Sequence, residues 1–232
     1  MIINPPFLLA RNPEETDAAY VARCMPDTAV CVPRTNAPEG SFPASFNLGW
    51  HGGLHLQAPN DGQAFLPVRA IADGEVVFAR RPTPRNANPS PGEPHNYNPY
   101  GETPSWTDDG CVIIRHTTQI GADDQGQAVE VTFFSIYEHL SALRGAALQA
   151  AGGTQNPPVY RKDTIGTAGQ VYGRDNQLHF EIVCDDANLQ RLIGRQTGDL
   201  NTGADGRRDV VFGELYFHLP TGTPVYTSEP LD

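Results

Sequence analysis

Apolar and polar residues alternate over short stretches of this chain and seldom recur at helical spacing. An apolar alternation through Val68, Ala70 and Ile71, an Asp73-Gly74 step and the run Glu75 to Ala79 predict a strand, a hairpin turn and a second strand. Downstream, Cys111 to His116 and Val129 to Tyr137 are rich in β-branched and aromatic residues and flank the polar run GADDQGQ, which predicts another hairpin. Tyr160 to Thr167 leads into a strand that carries QLHFEI, and Val210 to Tyr226 reads as one or two closing strands. Helical patterning is confined to Pro13–Arg23, where Asn12 is the candidate cap and Glu14 and Glu15 suit the first turn, and to Leu140–Ala151, ended by Gly152 and Gly153. The expected fold is mainly β: an antiparallel sheet with long loops and few short helices.

The breaks in this pattern set the organisation. Residues 1–45 are loop-rich and read as an N-terminal wrapping arm; residues 46–232 read as one domain with insertions at 80–108 and 185–209. Prolines and asparagines keep 80–108 out of a sheet, and loops of that length in compact domains usually serve function. Tyr97, Tyr100 and Trp106 fit it to form a wall of a substrate groove. There is no internal repeat.

Composition narrows the partners. With 23 glycines and 21 prolines in 232 residues, turns and short strands are favoured, and the length suffices for one sizeable core. A net charge of -11 argues against nucleic acid, whose phosphates demand a lysine and arginine surplus. No run of eighteen apolar residues exists, so no membrane-spanning helix is expected. The N-terminal MIINPPFLLARNPEE has no basic residue ahead of its short, proline-broken apolar stretch and no small-residue cleavage site, so a cleavable secretory signal is not expected. Cys24 and Cys31, with six residues between them, are close enough for a local disulfide, and reduced thiols are the alternative. The sequence contains no CxxC, which argues against a cysteine zinc site.

The histidines carry the chemistry. His51 and His55 lie in HGGLH and His179 in QLHFEI. Neutral imidazole is the commonest metal ligand, and three of them leave a fourth zinc position for water. The glycines and the Ala58-Pro59 turn place the first pair on an extended segment, not on an HExxH helix. His95, His116 and His218 have no such setting and read as locally hydrogen-bonded structural residues. Glu181 suits a hydrogen bond to the far nitrogen of a ligating histidine.

These blocks stand in a recognisable order: HGGLH with Ala58-Pro59, ADGEVV from Ala72, GCVIIRH ending at His116, YEHLS from Tyr137, and IGTAGQVYGRDNQLHFEI ending at Ile182. Across roughly residues 46–184 the chain resembles the lysostaphin or LytM-type zinc metallopeptidases, which cut bacterial cell-wall peptide. Two positions depart from the family pattern: His55 stands where HxGxD has its aspartate, and Gln177 where HLH has its first histidine.

The resemblance implies a LytM-like fold and Zn2+ on His51, His55 and His179, with water attacking an amide carbonyl of peptidoglycan. His139 then carries the acid-base role alone and Gln177 steadies the oxyanion, since an amide donates a hydrogen bond but does not return a proton near neutral pH. Endopeptidase and amidase cleavage both stay open. In the family's sheet the strands beside Cys111 and Cys184 are near one another, which allows a bridge between them. The substrate lies in the periplasm or cell envelope, so a chain without a cleavable signal calls for a specialised secretion route, as for an antibacterial effector with a cognate immunity protein. The alternative readings are a catalytically inactive LytM-like module that binds peptidoglycan or regulates another hydrolase, and, third, a carbohydrate- or envelope-binding β domain with incidental histidines.

Overall fold

Most of the alternating runs become strands of one antiparallel sheet in the computed structural model, which describes residues 3–26, 40–41, 44–45, 51–86, 88, 90, 95, 106–122 and 125–193. In chain order the elements are α1 (Asp17–Cys24), β1 (Gly40–Ser41), β2 (Ala44–Ser45), β3 (Leu54–Gln57), β4 (Val68–Arg69), β5 (Gly74–Arg80), β6 (Gly110–Ala122) and β7 (Ala128–Leu143), followed by α2 (Gly145–Ala150), β8 (Pro158–Val159), β9 (Thr164–Val171), β10 (Arg174–Val183) and α3 (Asp186–Ile193). The large sheet runs β3-β10-β9-β7-β6-β5-β8, with β4 on β9 and a further pairing of β10 with β7; β1 and β2 pair separately. The expected mainly β, antiparallel architecture with few short helices is what these residues form.

Period-two alternation divides the sheet into two faces. Leu56, Leu178, Phe180, Tyr137, Val112 and Ile114 are buried on one of them and form the centre of the apolar core. Full burial of each such side chain contributes about 1.5–3 kcal/mol. Residues 3–26 lie beside β4: Asn4 N–H donates to Ile71 O at 2.9 Å, Arg69 N–H donates to Pro6 O at 2.8 Å, and Phe7 is wholly buried. The opposite face carries His55 and Gln57 of β3 and Gln177, His179 and Glu181 of β10.

An irregularity in β7 interrupts this alternation. Gly110 of β6 stands opposite Leu140 while the next residue, Cys111, stands opposite Glu138, so His139 is an extra, bulged residue. Buried positions accordingly fall on Val131, Phe133, Ser135 and Tyr137 and then on Leu140, not 139. The same point is where β7 stops pairing with β10 and starts pairing with β9. His139 has φ +62°, a left-handed backbone that costs a non-glycine residue about 1–3 kcal/mol. A bulge of this kind re-aims a side chain.

Several expectations need correction. The first helix starts at Asp17, not Pro13, because the Thr16 hydroxyl accepts from Ala19 N at 3.2 Å and is the cap; Asn12 belongs to the preceding turn. Asp73-Gly74 is a corner, not a hairpin, since β4 pairs with β9 and β5 with β6 and β8. Leu140–Leu143 continue β7 because β9 supplies their backbone partners, leaving only Gly145–Ala150 helical. The 185–209 insertion begins with α3, whose Asn188 accepts from Thr132 N at 2.8 Å and thereby satisfies β7.

Cys111 and Cys184 are free and cannot bridge. Cys111 faces Glu138 on one side of β7, whereas Cys184 follows Val183, which faces Phe134 on the other. Two strand spacings of about 4.8 Å each and the offset along β7 exceed the reach of a disulfide. Cys24 is also free. Cys31, Tyr97, Tyr100, His218 and the expected closing strands at 210–226 lie outside the described residues. Among the described residues no helix is long and apolar enough to cross a membrane.

Candidate metal centre

Strand register brings the distant histidines together. In the pairing of β3 with β10, His55 stands directly opposite His179, so both imidazoles project from one face although 124 residues separate them. His51 arrives from the segment just before β3, its ring stacked on that of His55 at 5.2 Å and edge-on to that of His179 at 4.9 Å. All three are buried, and one nitrogen from each lies within 4.8 Å of the others.

Glu181 sets the orientation of His179. The carboxylate lies 2.7 Å from His179 Nε2, and its pKa is held below the usual range chiefly by that imidazole hydrogen bond, against the opposing effect of burial. An ionised carboxylate only accepts, so Nε2 carries the proton and Nδ1 keeps its lone pair. Nδ1 faces His55 Nε2 at 3.2 Å. The two glycines of HGGLH make room for this arrangement: a Cβ on Gly53 would lie 2.5 Å from Glu181 Cγ and 2.8 Å from His179 Nε2, and one on Gly52 would lie 2.9 Å from Glu181 Oε1.

His55 stays neutral. Burial, then the neighbouring His179, His139 and His51, push its pKa down to about 2. A neutral ring keeps one nitrogen unprotonated and able to ligate, and the donor set suits zinc. Tetrahedral zinc with Zn–N of about 2.0–2.1 Å spaces its ligand atoms about 3.3 Å apart, close to the His55–His179 separation. The three residues read from the sequence as ligands are thus brought together by the fold.

His139 stands at the edge of this cluster, its ring 5.9 Å from that of His55 and 6.2 Å from that of His179. Its Nδ1 lies 2.8 Å from the backbone carbonyl of Asp108, which only accepts. Nδ1 therefore carries a proton, and in the neutral ring the lone pair is on Nε2.

The Gln177 amide donors are engaged locally. The side-chain amide donates to Gln57 Oε1 across the strand pair and to Asp175 O at 3.2 Å, which occupies both N–H groups. Donating to an oxyanion requires exchange of one of these partners. The remaining described histidines are locally satisfied. His116 uses Nδ1 on Asp73 O at 2.8 Å and Nε2 on Ser135 Oγ at 2.7 Å. His95 stacks on Trp106 at 4.9 Å and meets Asp109 at 3.1 Å.

Two residues at this site had no sequence signal that singled them out. Asp108, only 7% exposed, supplies the carbonyl for His139, and Gln57 pairs with Gln177. The one available hint was position: Asp108 lies two residues before the GCVIIRH block.

No family model matches the chain, and no curated protein matches it. Among solved structures the chain is similar to the catalytic domain of the antimicrobial peptidase lysostaphin from Staphylococcus simulans, at 19% identity over 65% of this chain and 81% of that one, with a TM-score of 0.31.

Proposed function

We propose that the chain is a zinc-dependent hydrolase that cuts an amide bond in bacterial cell-wall peptide. The observation that carries this reading is the convergence of His51, His55 and His179, with a fourth imidazole, His139, at their edge. The ordered blocks from HGGLH to LHFEI supply the substrate class through their resemblance to cell-wall metallopeptidases.

His51, His55 and His179 would hold the metal. Bound there, zinc supplies Lewis acidity toward a carbonyl oxygen and lowers the pKa of water, and three neutral ligands leave its full charge available for both. The chain's own part is positional. Glu181 keeps the His179 Nδ1 lone pair in place, and burial keeps His55 neutral. His139 Nε2 takes a proton from attacking water and returns it to the departing nitrogen, the role of a general base and then acid. Action on peptidoglycan places the protein in the periplasm or envelope, and delivery through a specialised secretion system, with an immunity protein to block the site, belongs to the same proposal.

A second reading has one observation in its favour. The engagement of Gln177 with Gln57 and Asp175 leaves the site without that oxyanion donor, as suits a module that binds peptidoglycan or regulates another hydrolase without cutting.

Elemental analysis of protein purified without an affinity metal, alongside His51→Ala and His179→Ala and with peptidoglycan digested in parallel, separates the two. The hydrolase reading expects about one zinc per chain, its loss in both variants, and released fragments that identify the broken bond. Zinc without cleavage selects the binding module. No zinc in the parent protein overturns the metal centre.

A further inference from the structure

We infer that Asp108 is the positioning residue that fixes the tautomer and aim of His139. This rests on the reading of His139 as the proton carrier, but its test does not depend on turnover. Segment 106–108 is fastened to the β9–β10 hairpin from several sides. Asp108 N–H donates to Gln170 O at 2.9 Å, and Gln170 N–H returns a bond to Asp108 Oδ2 at 2.7 Å. The Trp106 indole N–H donates to Asp108 Oδ1 at 3.0 Å. Tyr172 N–H donates to Thr107 Oγ1 at 3.0 Å and Gly173 N–H to Trp106 O at 2.9 Å. Both carboxylate oxygens of a buried aspartate are thus committed to N–H donors, and the backbone carbonyl of the same residue receives His139 Nδ1–H at 2.8 Å.

This attachment has two consequences. A carbonyl cannot donate, so of the two neutral tautomers of His139 it admits only the one with hydrogen on Nδ1, which leaves Nε2 able to take a proton. The backbone at His139 keeps its strained φ between the paired residues Glu138 and Leu140, and the Nδ1 bond ties the side chain that leaves this bulge to segment 106–108. Gly169 shows how closely the parts are fitted: a Cβ there would meet His139 O at 2.4 Å and Asp108 Oδ2 at 2.5 Å. Trp106, 4% exposed, acts one step further back, through Asp108.

The experiment is 15N NMR of the histidine ring nitrogens in the full chain loaded with zinc, for the parent, Asp108→Ala, Asp108→Asn and Trp106→Phe. Signals are assigned to His139 by their loss in His139→Gln. The parent is expected to show a protonated Nδ1 and an unprotonated Nε2. Asp108→Ala should convert this to a mixture of tautomers, with Asp108→Asn and Trp106→Phe showing smaller changes in the same direction and all three retaining the parent's zinc content. Where the parent cleaves peptidoglycan, Asp108→Ala should lower kcat about 10²-fold with KM unchanged. If Asp108→Ala does not fold, the two milder variants decide the matter. A parental ring-nitrogen pattern in every folded variant overturns the inference, whether or not the protein is a hydrolase. A tautomer change in a protein that never cleaves supports it and rejects only the hydrolase reading.

Discussion

His116 and His179 are both buried on the same sheet and differ in what their ring nitrogens meet. His116, on the core face, spends one nitrogen on the Asp73 carbonyl and the other on the Ser135 hydroxyl, and its ring stacks on Phe133 at 4.7 Å. The network continues to Tyr137, whose hydroxyl accepts from Ile71 N at 3.1 Å. His179, on the other face, spends one nitrogen on Glu181 and turns the other toward a second imidazole. Two ring nitrogens at 3.2 Å share a hydrogen bond when one of them carries the proton, and the three histidines together could hold a metal ion, which the core network could not. Burial alone is therefore a poor guide to which histidine does chemistry; the direction of the lone pairs is the better one.

Substitutions on the two faces test this division. The largest effect is expected at His139→Ala, which should retain zinc yet lower the rate of peptidoglycan cleavage by about 10²–10⁴-fold, measured as kcat on purified substrate. Next comes His116→Ala, expected to leave zinc content untouched and to destabilise the protein by about 2–4 kcal/mol in denaturant unfolding. It strands the Ser135 hydroxyl and Asp73 carbonyl and opens a cavity beside Phe133. If that variant lost zinc instead, the two clusters would not be independent. Glu181→Ala should weaken zinc about 10–100-fold in competition with a chelator while the fold persists, because His179 loses the partner that sets its tautomer.

The smallest effect concerns pH. Burial lowers the pKa of His116 below its ordinary 6.5, against the pull of the Asp73 carbonyl. Below 6.5 the unfolded chain takes a proton that the folded chain refuses, so stability is full above that value and falls as the pH drops toward the folded-state pKa. The slope from one such group approaches about 1.4 kcal/mol per pH unit. Thermal unfolding of the parent between pH 7 and pH 5 should accordingly be steeper than that of His116→Ala, and equal slopes would remove His116 as the cause.

The three histidines that converge were legible because HGGLH and LHFE are local patterns whose glycines and apolar neighbours belong to strands. The strand character of β5, β6, β7 and β10 was legible for the same reason. What escaped the sequence depended on partners far away in the chain. Leu140–Leu143 have helical flavour alone and become strand only because β9 supplies their hydrogen bonds. The bulge at His139 is a property of three strands together, although one trace of it stood in the sequence: the even spacing of the apolar residues Val131, Phe133 and Tyr137 becomes three at Leu140 and again at Leu143. Asp108 has no motif because it works through its carbonyl, a group every residue possesses. Nothing in the sequence marked Gln57 as a partner for the Gln177 amide; the strand register places it directly opposite.

The β3–β10 pairing also bears on when the protein assembles its histidine cluster. His55 and His179 meet only after the ends of a 124-residue stretch have been brought together, a closure that costs an unfolded chain about 4 kcal/mol in entropy. The first two histidines by themselves make an incomplete set, so a metal ion has little to hold while the chain is still searching. On the proposed metal centre, capture would follow long-range strand pairing, and bound zinc would report molecules that have finished folding.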